Sequence, residues 1–275
     1  MTINLRYGFC RLLIALTLVV AGAGAGLAAP AGGTATAVSP VTISEEIELG
    51  NKVAGEMQRR YPVWRNADQE RRVRRIALKL FEVSDRHESS KLRQSFTVDL
   101  LDTKVINAFC APGGRTFVTR GLIDLGVDDD ELACVMGHEI AHAARRHGAR
   151  NLEANKILQS RINQMTKRSS LRTLAQIPIL FYLCKRFSPQ LEYEADYYGV
   201  IYAARAGFDP DGLARLLARF EKLEARQRSS KLAQLLTSLT DNHPPTPDRV
   251  KRASDLTSRI KHGETPSTTA VPVYD

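Results

Sequence analysis

The sequence predicts an α+β fold, predominantly helical, with a small β-sheet ahead of one central helix. Three observations predict it. Apolar residues recur at helical spacing over most of the chain from residue 44 onward. Strand-like alternation is confined to residues 96–120, where Pro112-Gly113-Gly114 interrupts it. From residue 128 on, nearly every segment reads as helix.

The first residues stand apart. Arg6 and Arg11 precede the apolar run LLIALTLVVAGAGAGLAA, and no acidic residue occurs before Glu45. A basic start, an apolar core and a small-residue end describe a secretory signal peptide over residues 1–28. The alternative is an uncleaved anchor, for which the run is short. Residues 29–43 read as a linker, residues 44–262 as one domain and residues 263–275 as a disordered tail. Export would place the mature chain in the periplasm.

At 43% hydrophobic and 25% charged residues, the chain can bury a real core, which excludes a disordered class. The net charge of +9 falls by two when Arg6 and Arg11 leave with the signal. Arg59, Arg60, Arg65, Arg71, Arg72, Arg74 and Arg75 cluster in a stretch poor in aromatics. That pattern favours a solvated helix face, suited to an anionic membrane surface, over a nucleic-acid site. No nucleic-acid partner is expected. Cys110, Cys134 and Cys184 remain after export, enough for one disulfide and one leftover thiol, with the pairing open.

Residues 44–59 and 68–83 read as amphipathic helices, the first with Ile47, Val53 and Met57 inward, the second with Val73, Ile76, Ala77, Leu80 and Phe81. Phe96, Val98 and Leu100 alternate as a strand, and residues 107–114 and 116–120 make a hairpin or a sheet edge. Asp128 to Asp130 cap the central helix. A polar helix over 150–170, a buried apolar segment over 174–184 and helices over 190–206, 210–226 and 230–240 follow. Asp209-Pro210 is expected to start the fourth of these, with proline at the first helical position. Thr246-Pro247 opens the last helix, which runs to about His262.

The central helix carries His138-Glu139-Ile140-Ala141-His142, an H-E-x-x-H pattern. Histidines four apart share a helix face and can converge on one metal ion. Glu139, beside them, can hold the attacking water and take its proton. A third ligand is needed. On a continuing helix His147 faces the opposite side, about half a turn from His138, so it reads as a residue that favours the helix C-terminal dipole. The better candidates lie in QLEYEADYYG, residues 190–199. Glu192 and Asp196 share a face, whereas Glu194 points away. One carboxylate can bind the ion and the other can orient a ligand histidine. The alternative is a solvated acidic face.

ELACVMGHEIAHAARRHG, EYEAD and NAFCAPGG followed by TFVTRGLI together resemble the HtpX/BepA-like zinc metallopeptidases, metallopeptidase family forty-eight, over roughly residues 44–262, and the set is far more specific than H-E-x-x-H alone. The resemblance implies a gluzincin domain with one zinc ion per chain on His138, His142 and Glu192, Glu139 as general base and Asp196 as an outer partner. It implies that Asn107, Ala108, Phe109, Cys110, Gly113 and Gly114 line the cleft as an edge strand that binds an extended peptide. His243 and Arg249 match the family's H-P-x-x-x-x-R element. His243 would stabilise an oxyanion, so that His243→Ala lowers turnover with zinc retained, or would cap the metal as a fifth ligand in a closed state. The chain lacks the family's membrane helices and helical-repeat tail, which leaves a compact, exported endopeptidase of the soluble periplasmic branch. Its expected substrates are misfolded or mis-assembled cell-envelope proteins. The rivals are a non-catalytic periplasmic holdase that kept the fold and an envelope-binding protein.

Overall fold

The computed structural model describes residues 40–154, 187–226, 243, 246–264 and 266. The signal segment, most of the linker and tail, the apolar segment at 174–184, the helix at 230–240 and Cys184 lie outside the described residues.

Among the described residues the elements follow in order: α1 (Ile43–Arg60), α2 (Ala67–Glu82), α3 (Ser90–Ser95), β1 (Thr97–Leu101), β2 (Ala108–Ala111), a 3-10 turn (Pro112–Gly114), β3 (Arg115–Thr119), α4 (Arg120–Asp124), α5 (Asp129–Ala144), α6 (Pro189–Arg205), α7 (Gly212–Arg226) and α8 (Pro247–Lys261), and residues 147–154 are also helical. No described helix is long and apolar enough to cross a membrane.

The helix starts follow the capping rules. Thr42 and Asp128 each form a capping box, with Glu45 and Glu131. Thr246 caps α8 with proline in its first turn, as the sequence predicts. α1 begins a residue earlier than expected, because Val41 is buried and its N–H donates to Glu153. Its inward face is Glu46, Leu49, Gly50, Val53 and Ala54, whereas Ile47 and Met57 are half-buried. α7 begins two residues later than expected. The Asp209 side chain accepts from the Asp211 N–H, and this turn leaves Pro210 outside the helix.

The sheet has the order β1-β3-β2. β2 and β3 are antiparallel across the Pro112–Gly114 turn, with Cys110 opposite Thr116. β1 is parallel to β3, with Leu100 beside Val118. β2 is thus an edge strand, and it packs against α5. From Leu132 to His142 every residue of α5 is buried, so this helix is the axis of the domain rather than a surface helix. α2, α6 and α7 pack around it, and Val73, Leu132, Met136, Tyr198, Tyr202 and Leu216 belong to one continuous core. Cys110 and Cys134 are buried, and burial pushes each thiol up to about 12.

Candidate metal centre

α5 and α6 touch backbone to backbone. A methyl group on Gly137 would lie 2.8 Å from the Gly199 carbonyl oxygen, and one on Gly199 would lie 2.6 Å from the His138 nitrogen. Only glycine at both positions permits this approach. It brings the carboxylates of α6 within reach of the histidines of α5.

Ligand atoms of His138, His142, Glu192 and His243 lie within 4.8 Å of one another. His138 Nε2 and His142 Nε2 are 3.0 Å apart. Each also lies 3.5 Å from a Glu192 carboxylate oxygen. Zinc bonds of about 2.0–2.1 Å in a tetrahedron give ligand–ligand edges of about 3.3 Å, so these three donors fit a zinc ion. His243 Nδ1 lies 3.2 Å from His138 Nε2 and 3.0 Å from both Glu192 oxygens. It therefore belongs to the same group of converging donors.

The surrounding bonds aim these donors. His138 Nδ1 lies 2.8 Å from Asp196 Oδ1, so its N–H donates there and Nε2 is the nitrogen that faces the cluster. Arg249, at the start of α8, donates to both Asp196 oxygens at 2.7 Å and reaches Glu192 Oε2 at 3.2 Å. Phe187 stacks on His142 with ring centroids 4.1 Å apart. Glu139 is 3% exposed, and its Oε1 lies 3.5 Å from His243 Nε2. The Cys110 backbone N–H donates to Glu139, so the outer edge of β2 runs along the centre.

Electrostatics follow from burial and pairing. Burial pushes the Glu139 carboxyl above its ordinary range. Burial also opposes the charge on Glu192, but His243 and His138 outweigh it and hold this carboxyl well below the usual range. Asp196 is held down in the same way, by Arg249 and then His138. Burial disfavours the His138 cation, yet the Asp196 and Glu192 bonds win and push its pKa up to about 10. Burial and the neighbouring His138 charge push His142 well down.

Of the residues singled out from sequence, the structure brings together His138, Glu139, His142, Glu192, Asp196, His243 and Arg249. It places Ala108, Phe109 and Cys110 on the edge strand. Asn107 precedes that strand, and its backbone N–H and carbonyl are both bonded to Thr119. Gly113 and Gly114 have φ of 77° and 89° and turn the chain against Ile47 and Phe96.

His147 requires a correction. The helix does not continue to it, because α5 ends at Ala144 and Arg146 is left-handed, with φ 60°. His147 folds back instead, fully buried, with Nδ1 2.8 Å from His142 Nδ1. Glu194, set aside because it points away from Asp196, lies 3.3 Å from His147 Nε2. Sequence reasoning also missed Gly137, Gly199 and Phe187. Small residues on two facing helices were the available signal for the glycines, and Phe187 carried none.

The chain spans less than half the length of each curated relative described here. It is 36% identical to the mitochondrial metalloendopeptidase OMA1 of Arabidopsis thaliana over 42% of this chain and 24% of that protein. It is 29% identical to human mitochondrial metalloendopeptidase OMA1 over 57% of this chain and 31% of that protein. It is 25% identical to the beta-barrel assembly-enhancing protease of Escherichia coli K12 over 82% of this chain and 46% of that protein. The model of peptidase family M48 matches residues 67–257, which include all four residues of the cluster, and the chain belongs to that family.

Proposed function

We propose that this protein is a zinc-dependent endopeptidase of the bacterial periplasm that cleaves misfolded or mis-assembled cell-envelope proteins. The observation that carries the reading is the convergence of His138, His142 and Glu192 at tetrahedral spacing, beside the buried carboxylate of Glu139. A bound zinc ion supplies Lewis acidity, which polarises a carbonyl and makes water acidic enough to attack near neutral pH.

The chain's own residues do the rest. Asp196 holds His138 by its Nδ1–H. Arg249 neutralises Asp196 and braces Glu192, and His243 and His138 keep the Glu192 carboxylate ionised. Glu139 accepts the proton of the attacking water, and its raised pKa makes it a stronger base than an exposed glutamate. β2 is the outer strand of the sheet, and an extended peptide can add to it as a further strand. Such main-chain recognition suits substrates of varied sequence. His243 stands among the same donors, so it has to move aside for a substrate, because a catalytic site needs an open position.

The envelope substrate class is supported by the Escherichia coli relative, whose name ties it to beta-barrel assembly. Elemental analysis of the purified chain tests the metal. One zinc per wild-type chain and much less in Glu192→Ala is the expected result. A peptide-cleavage assay with Glu139→Gln as control tests the activity, and equal cleavage by both proteins would end the protease claim in favour of a holdase.

A further inference from the structure

Which nitrogen of a histidine faces a metal depends on what its other nitrogen holds. For His138 the holder is Asp196. For His142 the other nitrogen is Nδ1, and it faces the Nδ1 of His147 at 2.8 Å. Two ring nitrogens at this distance need one proton between them. The far nitrogen of His147, Nε2, is buried without a hydrogen bond of ordinary geometry, and the group that faces it is Glu194, whose Oε2 lies 3.3 Å away at ion-pair distance. An ionised carboxylate only accepts, so the His147 proton sits on Nε2. The bare Nδ1 of His147 then accepts from His142 Nδ1–H. His142 is left with its lone pair on Nε2, the atom that faces the cluster. The reverse assignment would turn a bare Nε2 toward a carboxylate.

The surroundings hold this arrangement in place. Glu194 accepts from Arg145 at 2.8 Å and from Arg150 at 3.3 Å. Arg146 is the only described non-glycine residue with positive φ. Its guanidinium bonds Glu46 at 2.8 Å, and Arg86 bonds the same carboxylate at 2.6 Å. Glu46 is 1% exposed, so this clamp is internal. The left-handed residue breaks the helix and turns His147 back onto His142. Backbone strain of this kind persists only where neighbours hold it.

We propose that His147 and Glu194 form a positioning relay that fixes the Nδ1–H form of His142 and aims its Nε2 at the metal, as Asp196 does for His138. The relay rests on the metal reading above. Neither residue is a ligand or touches substrate.

The test compares the full chain with His147→Leu, His147→Asn and Glu194→Gln. Zinc affinity is read by competition with a chromophoric chelator, the His142 imidazole by nitrogen-15 NMR of the zinc-loaded protein, and folding by melting of the metal-free protein. His147→Leu should bind zinc about 10- to 100-fold more weakly and lose the protected His142 Nδ1–H signal, while still melting cooperatively. His147→Asn keeps an oxygen acceptor near the Nδ1 position and should recover part of the affinity. Wild-type affinity in a folded His147→Leu overturns the relay, and so does an equal loss in the leucine and asparagine variants. If His147→Leu does not fold, Glu194→Gln decides: unchanged affinity and an unchanged His142 signal overturn the relay. If the wild type binds no zinc, the metal reading falls and takes the relay with it.

Discussion

His243 Nδ1 lies 3.0 Å from both carboxylate oxygens of Glu192, so one imidazole covers the whole metal-facing end of that side chain. On the proposed reading His138, His142 and Glu192 hold the zinc without it. In the His243→Ala variant, zinc per chain should stay near the wild-type value. Peptide turnover should rise, because a corner of the centre is opened. The sequence alone suggested a fall, from an oxyanion role. A fall in turnover with zinc retained would restore that role and remove the closure.

The backbone contact of α5 with α6 has no room for a side chain. Gly199→Ala should push the helices apart at His138, cost about 1–3 kcal/mol in denaturant unfolding and weaken zinc binding. Substitution at Gly207, where a methyl group meets nothing within 4 Å but φ is 84°, should cost stability and leave zinc affinity unchanged. Equal zinc affinity in both variants would mean that the helix approach does not set the ligand geometry.

Removing the metal should lower the melting temperature. A chelator leaves four ligating groups facing one another without an ion. At free zinc about 1,000-fold above Kd, binding adds about 4 kcal/mol to stability. Scanning calorimetry with and without chelator, followed by zinc addition, should show a reversible drop. No shift would argue that the native state holds no zinc.

Glu194 gives a pH signature. Its carboxyl lies at about 2 in the fold, against an ordinary value of 4.5. Burial opposes the charge, and His147 and Arg145 more than offset that effect. A depressed carboxylate stabilises the fold fully above its unfolded pKa, and the effect fades as pH falls toward the folded value. Melting of metal-free wild type and Glu194→Gln should therefore differ by about 1–3 kcal/mol near neutral pH. The difference should shrink from about pH 4.5 down to about 2. A gap independent of pH over this window would show that the contribution is not one of charge.

Much of the centre was legible because its spacing is local. His138 and His142 are a helix turn apart, as are Glu192 and Asp196, and helical geometry alone puts each pair on one face. Capping chemistry gave the starts of α5 and α8. What was illegible depended on the chain turning or on distant backbones meeting. One left-handed residue, Arg146, reverses the direction in which His147 points, and nothing in the type of that residue announces it. Glu194 looked idle because its partner was not yet in view. The parallel pairing of β1 with β3 was equally hidden, since strand alternation identifies a face but not a neighbour. At Asp209-Pro210 the proline rule misplaced a helix start, because the Asp209 side chain spent its capping bond on a turn.

Arg249 is the only guanidinium that directly contacts Glu192 and Asp196 among the described ion pairs, and Glu139, beside His243, adds a third carboxylate to the centre. Counted as a small buried capacitor, the centre therefore carries two negative charges in excess when all three acids are ionised and the histidines are neutral. A divalent cation cancels that excess outright. Without one, electroneutrality falls to protons, and His138, with its pKa near 10, takes up the first. Loading the centre is thus an exchange in which an ion enters and protons leave, and the direction of that exchange can be set by acidity alone.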